Sequence, residues 1–257
     1  MDTGLQGRTV LIPGSTSGIG LACARAFATE GSNVVLAGRR GEVAAKEAAE
    51  LPSAIGVAFD LADPEAPARL YEQAVETFGA VDVLVLNGGG PPPGLASELS
   101  TEQLESAFHT LMLQHHRLVE AALPSMRERG WGRIVAVGSS GVQQPIERLA
   151  LSNTARAALA GYLKTLAGEV AADGVTVNMV LPGRIDTERV SALDRSNADR
   201  TGRTEAEVRA ASEAAIPVGR YGRPDEFASA IVYLASEEAS YVNGIQLRCD
   251  GGMVRSF

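Results

Sequence analysis

Cysteine, lysine and long apolar runs are scarce in this sequence of 257 residues. Its two cysteines, Cys23 and Cys249, have no metal-ligand spacing, so we expect no metal site and two free thiols in a reducing compartment. No apolar run approaches the roughly 20 residues that a membrane span needs. The first residues also lack the basic-then-apolar pattern of a signal peptide. We therefore expect a cytoplasmic protein with no membrane partner.

Positive charge is scarce as well. The sequence holds 23 basic and 31 acidic residues, which gives a net charge of −8, and only two of the basic residues are lysines. A surface that follows nucleic-acid phosphates needs clustered positive charge. The composition therefore argues against a nucleic-acid partner.

Short apolar runs alternate with helical patterns along the chain. Because the runs are apolar throughout, they are typical of a parallel sheet that is covered on both faces. We predict a single α/β domain over residues 1–257, a Rossmann-type doubly wound parallel sheet of about seven strands with helices on both faces. The predicted strands are 8–12, 33–37, 54–59, 82–87, 133–138, 175–180 and 244–249, and the main predicted helices are 19–30, 41–50, 64–78, 100–129, 152–172 and 224–236.

One long segment, 184–215, has no strand character and is dense in charge of both signs. Such an excursion in a compact domain is usually a lid or binding loop, and we predict a substrate lid here. Its arginines offer contacts for an anionic substrate, but its acidic residues nearly neutralise them and favour a solvated, salt-bridged surface. These arginines are Arg184, Arg189, Arg195, Arg200, Arg203 and Arg209.

A glycine-rich turn, PGSTSGIG at 13–20, joins the first strand to the first helix. Gly14, Gly18 and Gly20 are spaced G-x-x-x-G-x-G. Glycines at such a turn allow the backbone to approach a pyrophosphate at the helix N-terminus. The sequence therefore predicts a dinucleotide site at this turn.

The residues after the second strand bear on which dinucleotide is bound. A carboxylate at this strand end accepts from the ribose 2′-hydroxyl of NAD, whereas a basic residue suits the 2′-phosphate of NADP. Here Arg39 follows the strand, and no acid occurs between Glu30 and Glu42. We expect NADP(H) in preference to NAD(H). Arg39 as a merely solvated charge remains the alternative.

Together with further stretches along the sequence, the glycine-rich turn makes the chain resemble the short-chain dehydrogenase/reductase family over nearly its whole length. In particular, it resembles the reductases of the 3-oxoacyl-carrier-protein type within that family. The matching stretches are PGSTSGIG, Asp60–Leu61, NGGG (87–90), GRIVAVGSS (132–140), NMVLPGRIDT (178–187) and the segment 218–252.

The resemblance implies a nucleotide site, a small-molecule carbonyl or alcohol substrate, and a homotetramer assembled through the C-terminal stretch. The residues it implies for the cofactor are Gly14, Ser15, Ser17, Gly18, Ile19 and Gly20 at the phosphates, Asp60 and Leu61 at the adenine, Asn87, Gly88 and Gly89 at the adenine-side ribose, and Pro182, Gly183, Ile185 and Thr187 at the nicotinamide end.

The sequence departs from the family where the chemistry occurs. The reacting group of the family is Asn, Ser, Tyr and Lys. Ser139 keeps the serine, but Leu111 stands at the asparagine position, Ser152 at the tyrosine position and Arg156 at the lysine position. No tyrosine of the chain is followed four residues later by lysine, and Tyr162 is predicted to pack elsewhere.

We take Ser139, Ser152 and Arg156 as the candidate catalytic residues, with Arg156 also expected to bind the cofactor. A guanidinium binds a diol or an oxyanion with two hydrogen bonds but does not shuttle protons. Loss of the tyrosine removes an acid that commonly contributes 10²–10⁴-fold. The alternative for Ser152 is that it caps the helix at its start.

Other polar residues near these positions have simpler interpretations. His115 and His116 lie in the middle of a predicted helix, and we expect structural roles for both. Gln143, Gln144 and Arg148 follow Ser139 in the loop that lines the substrate pocket in the family, so we expect substrate contacts there.

The leading hypothesis is an NADP(H)-dependent oxidoreductase that interconverts a carbonyl and a secondary alcohol with an atypical active site. A rival hypothesis is a catalytically degenerate NADP(H)-binding tetramer that serves as a sensor or partner subunit. A third possibility comes from halohydrin dehalogenases, relatives that carry arginine for the lysine. They keep the tyrosine and lose the glycine loop, the opposite of this chain, so we rank it last.

Overall fold

The computed structural model describes residues 2–256. Its centre is a parallel sheet of seven strands in the order β3-β2-β1-β4-β5-β6-β7, which confirms the predicted doubly wound α/β fold. The order reverses between β1 and β4, and ligands of such sheets bind at this switch point, beyond the carboxyl ends of the strands. The strands are β1 Thr9–Pro13, β2 Asn33–Gly38, β3 Ala54–Ala58, β4 Val83–Leu86, β5 Gly132–Val137, β6 Val175–Pro182 and β7 Gln246–Cys249.

Helices cover both faces of the sheet and follow the predicted pattern closely. They are α1 Gly18–Thr29, α2 Gly41–Ala49, α3 Ala66–Phe78, α4 Thr101–Phe108, α5 Gln114–Glu128, α6 Ala150–Val170, α7 Glu188–Thr201, α8 Glu205–Ala215 and α9 Pro224–Ala235. A capping box opens α4, since the Ser100 hydroxyl accepts from the Gln103 amide at 3.3 Å and the Gln103 side chain accepts from the Ser100 amide at 3.0 Å. Gly174 ends the turn after α6 in the left-handed region, at φ +74°.

The predicted helix 100–129 differs from the structure. A π-helical segment, His109–Leu113, separates α4 from α5. A π-helical turn holds an extra residue and redirects the side chains around it, and such turns often occur at functional sites. Leu111 lies inside this segment.

Two apolar layers pack against the sheet, one on each face. On one face, Leu118, Met126 and Leu159 of α5 and α6 pack against the strands. On the other face, Phe27 of α1 and Phe227 of α9 do the same. Both faces are therefore buried, which explains why the strands are apolar at every position rather than at alternate ones.

The segment 184–215 folds into α7 and α8, and it contains no strand, as predicted. The expected salt bridges form for three of its arginines. Arg184 pairs with Asp194 at 2.6 Å, Arg195 with Glu205 at 2.9 Å, and Arg209 with Asp186 at 2.9 Å.

Across residues 2–256, none of the helices combines the length and the apolar character that crossing a membrane requires.

Candidate functional site

The glycine-rich turn lies at the switch point, between the end of β1 and the start of α1. Gly14 and Gly18 adopt positive φ angles of +64° and +56°, which side-chain-bearing residues rarely adopt. Ser17 occupies the N-cap position of α1, and its hydroxyl makes no capping bond. The free amides of the first helical turn therefore face the cleft, where a phosphate is favoured.

Ser15 and Asn87 fix this turn to its neighbours. The Ser15 hydroxyl is buried, donates to the Ile12 carbonyl at 2.6 Å and accepts from the Ala37 amide at 2.9 Å. The Asn87 side chain donates to the carbonyls of Pro13 and Gly14, both at 3.0 Å. The polar group of Ser15 thus lies beneath the turn and shapes it from below.

The loops after β3 and β4 form the wall of the cleft next to the glycine-rich turn. A side chain at Gly88 would meet the Leu61 side chain at 2.7 Å, whereas Gly89 borders open space in the cleft. Asp60 is exposed, and its carboxylate accepts from the Ala62 amide at 3.0 Å. Sequence analysis missed the residue that holds this wall, Gln114, which is fully buried and donates to the Leu61 carbonyl at 2.9 Å.

Arg39 lies directly after β2 with its side chain exposed to solvent. Among the described residues it makes no ion pair, so its charge is free to meet a ligand. Arg40, the next residue, stands at the N-cap position of α2 and is exposed as well.

Ser139, Ser152 and Arg156 line one cleft, as the sequence predicts. The Ser139 hydroxyl accepts from the Gly141 amide at 3.1 Å, which leaves its hydrogen available. Ser152 does not cap α6, because the helix begins at Ala150 with Leu149 in the capping position. Ser152 is instead 7% exposed in the first helical turn, one turn before Arg156.

Arg156 is a buried cation without a carboxylate partner among residues 2–256. It is 7% exposed, and it donates through Nη1 to the carbonyl oxygen of Val137, the last residue of β5, at 2.5 Å. Burial, assisted by the nearby charge of Arg189, lowers the pKa of Arg156 to about 10. The guanidinium therefore stays charged near neutral pH and keeps further N–H donors for a ligand.

Leu111, at the position of the family's asparagine, is 1% exposed. It packs with Ala107, Leu151 and Ala155 in a small apolar cluster. Apolar contacts therefore replace a polar side chain here, and Leu111 brings no hydrogen-bonding group to the cleft.

The end of β6 and the start of α7 close the cleft from the other side. Thr187 is the N-cap residue of α7, where its hydroxyl accepts from the Val190 amide at 3.4 Å, and it faces Gly18 across the cleft. Ile185 is buried, while Pro182 and Gly183 border the cleft. The predicted nicotinamide-end residues are thus brought opposite the phosphate turn.

The cleft has a volume of about 540 Å³, a size that suits a small organic ligand. Of the three residues expected to contact the substrate, Gln144 lines the cleft. Gln143, which donates to the Gln246 side chain at 3.0 Å, and Arg148 are not among its lining residues. Apolar residues that sequence analysis missed complete the wall: Ile146, Leu149, Val190, Leu193, Met253 and Val254. Within residues 2–256, no three His, Cys, Asp or Glu side chains gather as a metal site.

His115 lies behind the site and is fully buried. Its Nδ1 lies 2.8 Å from the Leu111 carbonyl oxygen, while its Nε2 has no hydrogen-bond partner. Desolvation lowers the pKa of His115 to about 4. The ring is therefore neutral at pH 7 and, since a carbonyl only accepts, carries its hydrogen on Nδ1.

Acid should destabilise the protein through His115. Its pKa in the folded state is below the usual 6.5, so the unfolded state takes up a proton first as the pH falls. Stability present above pH 6.5 is then lost progressively toward pH 4. Between pH 7 and pH 5 the loss is about 2 kcal/mol. Urea unfolding of wild type and of His115→Leu at both pH values measures it. Equal losses in the two proteins would contradict this assignment.

Comparison with known proteins identifies the family. A family model described as enoyl-(acyl carrier protein) reductase matches residues 14–254. The chain is 34% identical to the 3-oxoacyl-(acyl-carrier-protein) reductase of Vibrio cholerae over 255 residues, covering 97% of this chain and 98% of that protein.

Solved structures agree with these matches. L-sorbose reductase from Gluconobacter frateurii, solved with NADPH and L-sorbose, has a TM-score of 0.94 at 33% identity and covers 100% of both chains. A variant of the actinorhodin polyketide ketoreductase with NADPH has a TM-score of 0.92 at 32% identity, covering 97% of this chain and 98% of that one.

The fold and the cleft define a doubly wound α/β protein with its ligand site at the switch point of the sheet. The chain belongs to the short-chain dehydrogenase/reductase family of oxidoreductases.

Proposed function

We propose that the chain is an NADP(H)-dependent oxidoreductase that interconverts a carbonyl and a secondary alcohol, with Ser139, Ser152 and Arg156 in place of the family's reacting group. The observation that carries the proposal is the shared cleft: the glycine-rich turn, the two serines and a buried, uncompensated guanidinium all line it. A substrate placed beside a nicotinamide ring in this cleft therefore meets a cation and two hydroxyl groups.

The cleft fits a nicotinamide dinucleotide. Its glycines leave the space that a pyrophosphate needs, and the start of α1 supplies the amides. Arg39 supplies a free positive charge at the end of β2 for a 2′-phosphate. The two solved relatives described above were crystallised with NADPH, which supports the same cofactor here. When bound, the nicotinamide supplies or accepts the hydride.

Arg156 stabilises the charge that develops on the carbonyl oxygen. Its guanidinium is fixed by the Val137 carbonyl, so it needs no rearrangement when the charge appears. Such preorganised stabilisation is commonly the largest catalytic effect of a site. Ser139 and Ser152 donate hydrogen bonds to the same oxygen. Neither an arginine nor a buried serine is an acid at neutral pH. We therefore infer that the proton that completes the alcohol comes from water and is passed on through the Ser152 hydroxyl.

Steady-state oxidation of NADPH with 3-oxoacyl thioesters, β-keto esters, diketones and quinones tests the proposal, together with equilibrium binding of NADPH. We expect binding and turnover with at least one carbonyl class. Absence of nucleotide binding would sink the proposal. Binding without turnover on any carbonyl would instead support the rival, a catalytically degenerate NADP(H)-binding tetramer that acts as a sensor or partner subunit.

Arg39 should decide the preference for the 2′-phosphate. We expect Arg39→Ala to weaken NADPH binding about tenfold while NADH binding stays unchanged, because a charge-assisted contact to phosphate is lost. Arg40→Ala is the matched control, since Arg40 is the adjacent exposed arginine and we give it no role at the cofactor. Fluorescence titration with both nucleotides measures the effect, and a parallel loss for both would argue against the assignment.

We also propose a homotetramer in the cytoplasm. Large apolar side chains are exposed in two stretches of the chain: Leu104, Phe108 and Leu113 on α4 and the π-helical segment, and Tyr233, Tyr241 and Ile245 on α9 and before β7. Exposed apolar side chains that come together on the surface mark protein interfaces, and two such surfaces would provide the two kinds of contact that a tetramer with dihedral symmetry uses. Light scattering of the purified protein tests the assembly, and a monomer would contradict it.

A further inference from the structure

Two arginines face the cleft without a carboxylate to neutralise either of them. Arg156 lines the cleft, and among residues 2–256 the hydrogen bond that its guanidinium makes is to the Val137 carbonyl. Arg189 reaches over from the first turn of α7, and its Nη2 donates to the Pro91 carbonyl at 2.6 Å. Within the described part of the chain, neither forms an ion pair. The cleft therefore holds two arginines that are not paired with a carboxylate of the described chain.

Three other arginines of the segment 184–215 are paired with carboxylates, whereas Arg189 is not paired within the described part of the chain. Arg184, Arg195 and Arg209 each bind an acidic side chain. The acidic residue next to Arg189, Glu188, also borders the cleft. Successive residues on a helix do not face each other, so Glu188 is poorly placed to pair with Arg189.

The position of Arg189 also disfavours its charge. The N-terminus of a helix carries a partial positive charge, so a cation in the first turn of α7 is unfavourable and an anion is favoured. Arg156 and Arg189 line the same cleft, and the like charge of Arg189 adds to burial in lowering the pKa of the Arg156 guanidinium. A bound anion would relieve both effects at once.

The surroundings indicate what carries the anion. The Arg189 guanidinium lies against Gly90, where a side chain would meet its Nη2 at 2.9 Å, at the mouth of the cleft. The same cleft is also lined by apolar side chains, among them Ile146, Leu193 and Val254. A ligand with an apolar body and one charged end fits this arrangement.

We infer that Arg189, with the field of Arg156 behind it, binds an anionic group of the substrate, and that the substrate class is a carbonyl compound with a carboxylate. This inference rests on the proposed function. The same charges would also attract the diphosphate of the nucleotide. The experiment below distinguishes binding of the substrate carboxylate from binding of the nucleotide diphosphate.

The test compares 2-oxooctanoate with its neutral methyl ester on wild type, Arg189→Met and the control Arg195→Met. Calorimetry gives the Kd of each compound for protein saturated with NADP⁺, and NADPH oxidation gives kcat/KM. The ester differs from the acid in reactivity, but this difference is the same in every protein. The change in the acid-to-ester ratio between proteins therefore isolates the contact to the anion.

We expect wild type to bind the acid more tightly than the ester, and Arg189→Met to reduce that ratio about tenfold or more. The reduction should come from the acid alone, with the Kd of NADPH within twofold of wild type and with Arg195→Met unchanged. An unchanged ratio in Arg189→Met would overturn the inference, and so would a loss of NADPH affinity in place of acid affinity. Because Kd needs no turnover, acid binding that depends on Arg189 in an inactive protein would support this inference while the proposed reaction fails.

Discussion

Replacement of Arg156 by methionine is expected to lower kcat/KM for carbonyl reduction about 100-fold or more, the usual effect of removing one preorganised donor to an oxyanion. The same change removes a buried cation that has no carboxylate partner in the described part of the chain. Methionine keeps an unbranched apolar stem and needs no hydrogen bond, so the melting temperature should stay the same or rise.

A fall in activity without a fall in melting temperature is expected when a charged residue serves function and does not stabilise the fold. Steady-state kinetics and a thermal melt on the same protein samples measure it. Arg156→Lys is the matched control, because it keeps the charge but loses the planar donor pair, and we expect it to retain more activity than Arg156→Met. A parallel fall of activity and melting temperature in Arg156→Met would mean that Arg156 is structural.

Substitution of Gly20 by alanine is expected to abolish tight nucleotide binding. A methyl group there would lie 2.3 Å from the Gly14 carbonyl oxygen, 2.8 Å from the Asn87 side-chain nitrogen and 2.8 Å from the Ser15 Cα. All three atoms belong to the buried framework of the phosphate turn, so the turn must deform. We expect the affinity for NADPH to fall more than tenfold, since the backbone amides then no longer face the phosphates.

Gly161→Ala provides the control for Gly20→Ala. Gly161 lies on α6, and a methyl group there meets nothing within 4 Å. An exposed helical position gains up to about 1 kcal/mol from this exchange. We therefore expect normal NADPH affinity and slightly higher stability. If Gly20→Ala bound NADPH like wild type, the assignment of this turn to the phosphates would be wrong.

The fold could be predicted because each strand carries its own signal. The continuous apolar runs, the turn glycines and the helices between them all indicate one parallel sheet, and the observed strand bounds differ from the predicted ones by at most two residues. The π-helical segment around Leu111 could not be predicted. The apolar spacing continues through it without a break, and no residue type marks the extra residue.

The sequence could predict the site residues that lie close together along the chain, but not those that the fold brings together from distant positions. Arg156 and Ser152 follow from one helical spacing. Arg189 was expected to be part of a salt-bridged surface, because the net charge of the segment 184–215 is close to zero. Composition does not determine which charges meet, and the fold places Arg189 beside Pro91, 98 residues away. Val254 joins the same cleft from the end of the chain.

We expect this site to work without a tyrosine acid, and one comparison of two proteins tests this most directly. NADPH oxidation by wild type is measured beside the double variant Ser152→Tyr, Arg156→Lys over one panel of carbonyl compounds. The account predicts an enzyme-like rate for wild type and no gain in the variant. A silent wild type beside an active double variant would contradict it, because the scaffold would then be intact and its native chemistry lost.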